Sequence, residues 1–283
     1  MMTKYFFIVA IATAAIFTSC DKEDTPVVNP YDAAVISNGG IMYDKFWATE
    51  SDFDQTSAHL ATLNSKADFF RCKQCHGWDL KGSTGSYINR KPSKTRPNIS
   101  SVDVYATAKS KTAQELFDAM KKTAGRRNIN TDLSTYDPAT ASTQTEGDKM
   151  PNLSELLTDA QIWDLVKFMK EGALDVEQLY KATYTGTYPT GSVAFAEWGQ
   201  GGNAESGNVF YTANCKGCHG VDGKTLPLEN MTLGKFTRSK PNEVQHKIKF
   251  GQLGSAMAGK FDITPAQMKN LYKAIADKTN YPD

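Results

Sequence analysis

The chain lacks several features that would point to particular protein classes. Its 32 lysines and arginines nearly balance its 31 aspartates and glutamates, so bulk charge gives no reason to expect nucleic acid as a partner. Beyond residue 17 no apolar run approaches the ~20 residues that a membrane-spanning helix needs. Only five cysteines and four histidines are present.

The N-terminal residues differ in composition from the rest. Lys4 supplies a positive start, Tyr5 to Phe17 is almost wholly apolar, and Cys20 follows two small residues, a pattern typical of a signal peptide. The residues before Cys20 resemble the lipobox of bacterial lipoproteins, in which the cysteine is lipidated, although Phe17 stands where leucine is usual. An ordinary secretory signal cut elsewhere is the alternative. We expect a lipoprotein signal peptide at residues 1–19 and a lipid on Cys20.

The stretch after Cys20 suits a tether. It is charged from Asp21 to Asp24, then polar and proline-containing up to Pro30, as expected between a lipid anchor and a folded domain. The lipid chains would supply the membrane affinity. We expect residues 20–37 to form this tether and the protein to be exported. It would be anchored at the periplasmic face of a bacterial membrane or at the cell surface.

The other four cysteines form two copies of one motif. Cys72-Lys73-Gln74-Cys75-His76 and Cys215-Lys216-Gly217-Cys218-His219 each match C-x-x-C-H, the signature of c-type haem attachment. On a helical turn, positions i, i+3 and i+4 project from one side. Two thiols can then reach the haem vinyl groups while the histidine meets the iron. The sequence predicts two covalently bound haem c groups.

Three other chemistries compete with haem attachment for these cysteines. A four-cysteine zinc site would need the two pairs to meet, yet Cys75 and Cys215 are much farther apart in sequence than the pairs of zinc ribbons. A thioredoxin-like redox pair would require a strand followed by a helix around the motif, and it would not explain why a histidine follows each cysteine pair. Two structural disulfides remain compatible with an oxidising compartment.

The segments around the motifs repeat, which is the main indication of architecture. Ala67–Arg71 and Gly207–Tyr211 are aromatic helix starts that precede the motifs, and small polar turns follow at 77–82 and 220–224. Helical periodicity then recurs at 114–121 and 242–249. Each half ends in a helix opened by a capping threonine, Thr158 or Thr264.

Each half resembles a class I cytochrome c domain, an all-α fold wrapped around one haem. The resemblance implies two tandem domains, at residues 38–180 with an insertion and at 201–283. They would be joined by a linker at 181–200 that holds a turn and a short strand. It also implies a methionine as the sixth iron ligand, from a loop before the last helix. Met150 and Met257 occupy that place, so His76 with Met150 and His219 with Met257 are the predicted iron ligands.

Other side chains could compete for the irons. Met120 and Met268 lie at helix positions that favour core packing, while Met231 is a further candidate in the second half. His59 and His246 are the remaining histidines. We expect His59 at the surface and His246 at a polar helix position that matches Asp118, and neither as a ligand.

Six-coordinate haems with histidine and methionine leave no position for substrate. We therefore expect an electron carrier that works between redox partner proteins, with no catalytic residues. A haem oxidoreductase, or its electron-transfer subunit, with one iron open to a small substrate is the alternative, and a haem-based sensor is disfavoured because no signalling domain is visible. The basic run Arg90–Arg96 is either a solvated loop or a surface that steers an acidic partner.

Overall fold

The computed structural model describes residues 29–46, 71–92, 99–127 and 150–283. The predicted signal peptide, Cys20, His59, Ala67–Phe70 and the later part of the basic run lie outside these residues. Within them, no helix is both long enough and apolar enough to cross a membrane. The described residues before the β-hairpin at 181–196 are called the first half, and those after it are called the second half.

The first half is helical. Its helices are α1 (Pro30–Ala33), α2 (Ile36–Lys45), α3 (Cys72–His76), α4 (Val104–Ser110), α5 (Ala113–Lys121) and α6 (Asp159–Lys167). A π-helical turn at Phe168–Gly172 extends α6, and 3-10 turns lie at Gly82–Thr84, Leu153–Glu155 and Val176–Gln178. Helices α1 and α2 begin ahead of residue 38, where the first domain was expected to start.

A β-hairpin separates the halves and is the departure from a purely α-helical fold. Strand β1 (Lys181–Thr185) pairs antiparallel with β2 (Ser192–Ala196), and Lys181 lies opposite Ala196. Threonine, tyrosine, valine and phenylalanine favour such paired strands. The hairpin lies within residues 181–200, where the sequence indicated a linker with one short strand.

The second half is again helical. Its helices are α7 (Ala204–Asn214), α8 (Lys216–His219), α9 (Leu233–Ser239), α10 (Pro241–Phe250) and α11 (Pro265–Ile275). Both terminal helices, α6 and α11, begin at a capping box. The Thr158 amide donates to Gln161 Oε1 at 2.9 Å, and the Thr264 amide donates to Gln267 Oε1 at 2.9 Å. The predicted threonine caps are confirmed.

In each half the first long helix crosses the last. Helix α2 packs on α6, and α7 packs on α11. A Cβ atom at Gly39 would lie 2.0 Å from the Asp164 carbonyl oxygen, and one at Gly207 would lie 2.0 Å from that of Asn270. Only glycine lets the helix backbones approach so closely. The side chains of the same two residues, Asp164 and Asn270, also accept hydrogen bonds at the starts of α2 and α7. Val35 N donates to Asp164 Oδ1 at 2.6 Å, and Asn203 N donates to Asn270 Oδ1 at 2.7 Å.

These contacts correct one sequence-based equivalence. The counterpart of Gly207–Tyr211 is Gly39–Tyr43 on α2, and not Ala67–Arg71 as predicted. The prediction failed because it took the residues directly before the first motif, whereas α2 precedes that motif by a long intervening segment. Position along the chain was a poorer guide than the glycine and tyrosine spacing.

Further pairs of contacts repeat between the halves. The Val104 amide donates to the Leu80 carbonyl at 2.8 Å, and the Leu233 amide to the Gly223 carbonyl at 2.9 Å, so α4 and α9 start from equivalent turns. Lys109 Nζ then reaches the Lys170 carbonyl at 2.6 Å, and Arg238 Nη1 the Ala276 carbonyl at 3.0 Å. Both cations satisfy carbonyls that the end of a terminal helix leaves without intrahelical partners.

Two hydrophobic clusters correspond to the two halves. The first is built from α2, α5 and α6 and includes Met42, Phe117 and Trp163. The second is built from α7, α9, α10 and α11 together with the residues before β1, and it includes Tyr211 and Met268. Phe250 of α10 is an exception, because it belongs to the first cluster although its helix lies in the second half. The halves are therefore joined by packing as well as by the hairpin.

Candidate cofactor sites

The first motif forms the single short helix α3. It places Cys72, Cys75 and His76 on one turn, and Gly77 ends the helix with a φ of 74°. Burial raises the pKa of the Cys72 thiol to about 12 and that of Cys75 to about 11. Burial also lowers the pKa of His76 to about 4, with a smaller contribution from Arg126. The site therefore holds two neutral thiols and a neutral imidazole at pH 7.

The second motif forms a similar turn, except that its first cysteine lies just before the helix. Cys215 joins α7 to α8, Cys218 and His219 lie on α8, and Gly220 ends that helix with a φ of 82°. Burial raises the pKa of Cys215 to about 11 and lowers that of His219. Neutral imidazole is the form that binds a metal. Both histidines are therefore in the state that a ligand requires.

In each half, a tyrosine on the first long helix donates a hydrogen bond to the glycine that follows the motif. Tyr43 on α2 donates to the Gly77 carbonyl at 2.6 Å, and Tyr211 on α7 donates to the Gly220 carbonyl at 2.6 Å. The tyrosine pair was not singled out from the sequence. Its signal is the spacing of a glycine and a tyrosine four positions later, which places both on one helix face.

An aspartate organises the turn after each motif. Asp79 Oδ1 accepts from the Lys81 amide at 3.3 Å, and Asp222 Oδ1 accepts from the Lys224 amide at 3.3 Å. The predicted polar turns thus have the same construction in both halves.

Two of the alternative cysteine chemistries find no support in the described residues. Cys72, Cys75, Cys215 and Cys218 are all free thiols, and no group of three or more histidine, cysteine or acidic side chains is arranged to hold a metal ion. The Nδ1 atoms of His76 and His219 are buried with no hydrogen-bond partner among those residues. Two thiols and a neutral imidazole on one turn, found twice, fit covalently attached haem c.

Met150 lies next to the first cluster. Its carbonyl accepts from the Arg127 amide at 3.2 Å, and a bridge between Arg127 and Pro151 fixes the loop. Met150 and Cys72 are both half-buried against the same hydrophobic cluster. Its role as an iron ligand stays a prediction.

The second half offers two methionines at intermediate burial. Met257 is in the loop after α10, where its carbonyl accepts from the Gln252 amide at 3.0 Å and its amide donates to Ser255 Oγ at 3.1 Å. Met231 packs against the second hydrophobic cluster, as Cys215 does. Met257 stays the predicted sixth ligand of the second iron, and Met231 stays the alternative. Met120 and Met268 are buried in the two cores, which confirms their predicted packing role.

His246 departs most from its expected surroundings. It is 1% exposed, and its Nε2 donates to the Gly40 carbonyl at 3.0 Å. Its ring lies 4.8 Å from that of Trp78 and 4.9 Å from that of Phe250, centroid to centroid. The sequence placed it at a polar helix position because its counterpart Asp118 is polar. In fact this face of α10 packs on the first half.

A buried ionic cluster was also missed from the sequence. Asp44 on α2 is 1% exposed and forms ion pairs with Arg71, directly before the first motif, and with Lys247 on α10. Residues from three distant segments meet there, so no local pattern could have indicated the cluster. The only signal is an aspartate among the apolar residues of α2.

Each half carries a Cys-x-x-Cys-His turn that is hydrogen-bonded to a helix packed against the last helix of that half. Residues 65–173 match the family model described as cytochrome c, and residues 202–273 match the one described as cytochrome C oxidase, cbb3-type, subunit III. The chain thus contains cytochrome c family domains, which imply covalently bound haem c and electron transfer. No curated protein and no solved structure matches the chain.

Proposed function

We propose that this protein is an exported, lipid-anchored di-haem cytochrome c that passes electrons between redox partner proteins. The observation that carries the proposal is the double occurrence of one construction, a Cys-x-x-Cys-His turn whose last carbonyl accepts from a helix tyrosine. Both family matches support it, since each contains one of the two motifs. The same repetition supports two tandem domains that each enclose one haem, the first extending from α1 to residue 180 and the second covering residues 201–283.

The residues that would hold the two groups can be named. Cys72 and Cys75 would form the thioether links of the first site, and Cys215 and Cys218 those of the second, with His76 and His219 as axial ligands. Each haem supplies a one-electron couple between ferrous and ferric iron. The chain provides burial, a neutral imidazole and a fixed attachment turn at each site.

The number and position of the cofactors can be tested directly. The chain should be matured in a bacterial host that attaches haem c, then analysed by intact mass and by the pyridine haemochrome spectrum. We expect two haems in the wild type. We expect one in the Cys72→Ala/Cys75→Ala variant and one in Cys215→Ala/Cys218→Ala. A wild-type chain without covalent haem at either motif would contradict the proposal.

Met150 and Met257 are the proposed sixth ligands, and they separate a carrier from an enzyme. If both sulfurs bind iron, the ferrous protein should bind carbon monoxide poorly, and each Met→Ala variant should open one site to it. Met231→Ala tests the competing ligand, because Met231 packs against the same hydrophobic cluster as Cys215. It should leave the second site closed if Met257 is the ligand, and carbon monoxide binding by Met231→Ala in place of Met257→Ala would assign Met231 to the iron. Carbon monoxide binding by the wild type would instead favour an oxidoreductase with an open haem.

Membrane attachment is proposed through Cys20. The apolar stretch before it and the charged stretch after it are the support. Incorporation of labelled fatty acid should occur in the wild type and be lost in Cys20→Ala, with the protein moving from the membrane to the soluble fraction. Unchanged membrane association of Cys20→Ala would remove this part of the proposal.

A further inference from the structure

Helix α10 of the second half lies over the first attachment turn, and two of its amide side chains bond to that turn. Gln245 Nε2 donates to the Trp78 carbonyl at 2.9 Å, and Asn242 Nδ2 donates to Ser86 Oγ at 3.0 Å. Both donors are buried, since Gln245 is 4% exposed and Asn242 is 6% exposed. The second half therefore contributes directly to the surroundings of the first motif.

The two carbonyls that follow His76 are held by side chains from different halves. Tyr43 on α2 donates to the Gly77 carbonyl at 2.6 Å, and Gln245 on α10 donates to the Trp78 carbonyl at 2.9 Å. His76 is the last residue of α3, and Gly77 ends that helix with a φ of 74°. The path of the chain as it leaves the predicted iron ligand is therefore fixed by two bonds, and one of them comes from the second half.

Trp78 needs the Gln245 donor because the turn is closed to solvent. Trp78 is 1% exposed, and no other described residue donates to its carbonyl. A buried carbonyl without a donor is unfavourable. The Gln245 amide is itself held in place, since it also donates to the Asn242 carbonyl at 3.1 Å within α10. Gln245 therefore presents its donor to the turn in a fixed orientation.

The bond from Asn242 reaches the same turn by a second route. Ser86, which accepts this bond, donates its amide to Asp79 Oδ2 at 2.8 Å. Asp79 is the aspartate that organises the turn, and its Oδ1 accepts from the Lys81 amide at 3.3 Å. Asn242 and Gln245 therefore act on opposite ends of the segment at 78–86.

The second attachment turn receives no such support among the described residues. Tyr211 donates to the Gly220 carbonyl at 2.6 Å, but no described residue donates to the carbonyl of Val221, which comes next. Val221 is 72% exposed, so water can bind its carbonyl. Helix α5, the equivalent of α10, instead bonds its exposed Gln114 to Asp118 at 2.8 Å. Within the described residues, the support therefore runs from the second half to the first motif.

We propose that Gln245, assisted by Asn242, is a positioning residue for the first haem. Acting through the Trp78 carbonyl, it fixes the turn that carries His76, so the second half sets the ligand geometry of the first iron. This inference rests on the proposed di-haem function. Loss of the contact changes the first haem and leaves the second unaltered.

Hydrogen exchange of the full-length di-haem protein, resolved by mass spectrometry, tests whether the turn depends on Gln245. Gln245→Met keeps the length of the side chain and removes the donor. Exchange of the amides at 77–81 should become about 5- to 30-fold faster, because one bond to a buried carbonyl is lost. Exchange at 220–224 should not change. Gln114→Met is the matched control, since it makes the same substitution at an exposed position of the equivalent helix, and it should leave both turns unaltered.

Electron paramagnetic resonance of the ferric di-haem protein gives a readout that a purely structural role would not move. The g-values of a low-spin ferric haem depend on the orientation of its axial imidazole. We expect Gln245→Met to shift the first-site g-values by more than the line width and to leave those of the second site unchanged. The first-site signal is assigned with the Cys215→Ala/Cys218→Ala chain, which keeps only the first motif.

Asn242→Ala guards against misfolding, because it removes the bond to Ser86 and keeps the Gln245 donor. It should give a smaller change of the same kind, confined to the first site, and it carries the test if Gln245→Met does not fold. The inference is overturned if the folded variants keep the wild-type exchange and g-values at the first site, or change both sites equally. It is also overturned if Gln114→Met has the same effect. A haem-to-protein ratio below two in the wild type would instead contradict the proposed function.

Discussion

The two attachment turns share one sequence motif but have different surroundings. Trp78 follows the first motif and is 1% exposed, whereas its counterpart Val221 is 72% exposed. Cys218 is exposed, but Cys75 is only partly so. The motif and its tyrosine bond set the local geometry in both halves. The cover of the turn differs because α10 lies over the first one, so two turns with the same motif differ in their exposure to solvent.

A similar contrast separates the equivalent helices α5 and α10. Helix α5 leaves Gln114 and Asp118 exposed, and they bond to each other at 2.8 Å. Helix α10 buries Asn242, Gln245 and His246 against the first half, and each has a hydrogen-bond partner there. Buried polar groups need such partners because an unsatisfied one costs about 1–3 kcal/mol. The polar face of α10 is thus an interface between the halves.

Helix crossing is the feature that the halves share most closely, and disrupting it should have the largest effect. Gly39→Leu and Gly207→Leu each direct a side chain into a backbone carbonyl 2.0 Å from the new Cβ. The helices must separate, so we expect a loss of more than about 4 kcal/mol in each case. Thermal unfolding followed by circular dichroism measures this.

Gly217→Ala is the control for this prediction, because a Cβ at Gly217 meets no atom within 4 Å. It should change stability by less than about 1 kcal/mol. A Gly39→Leu protein that unfolds at the wild-type temperature would show that α2 is not the counterpart of α7.

Local sequence predicted what lies within one turn or one helix. The motifs at Cys72 and Cys215 and the caps at Thr158 and Thr264 rest on contacts between residues three or four positions apart. Helix α2 was overlooked because the segment between Lys45 and Arg71 hides its relation to α7. The contact between Lys247 and Asp44 joins residues that are distant in the chain, and neither repeat carries a pattern for it.

Truncating the residue after each motif should sharpen the contrast between the attachment turns. Trp78→Ala removes a fully buried ring that contacts His246 and Lys247, and we expect it to cost about 3–5 kcal/mol. Val221→Ala removes an exposed side chain and should cost less than about 0.5 kcal/mol. Chemical denaturation of both haem-loaded variants gives the two values. Similar losses would mean that the turns are equally buried in solution.

His246 should make the contact between the halves sensitive to acid, by a smaller amount. Burial lowers its pKa well below the usual value, and Lys247, Arg71 and Lys73 lower it further, while the bond to Gly40 opposes the shift. Asp44 nearby is already paired with Lys247 and Arg71. Because the folded state holds the neutral ring, the stabilisation is complete above the unfolded pKa near 6.5 and is lost as pH falls toward the folded pKa. The loss from this one group should reach at most ~1.4 kcal/mol per pH unit.

His246→Gln keeps a donor for Gly40 and cannot titrate, so its unfolding free energy should fall less steeply between pH 6.5 and 4.5 than that of the wild type. Equal slopes for the two proteins would show that the imidazole is not held neutral at this contact.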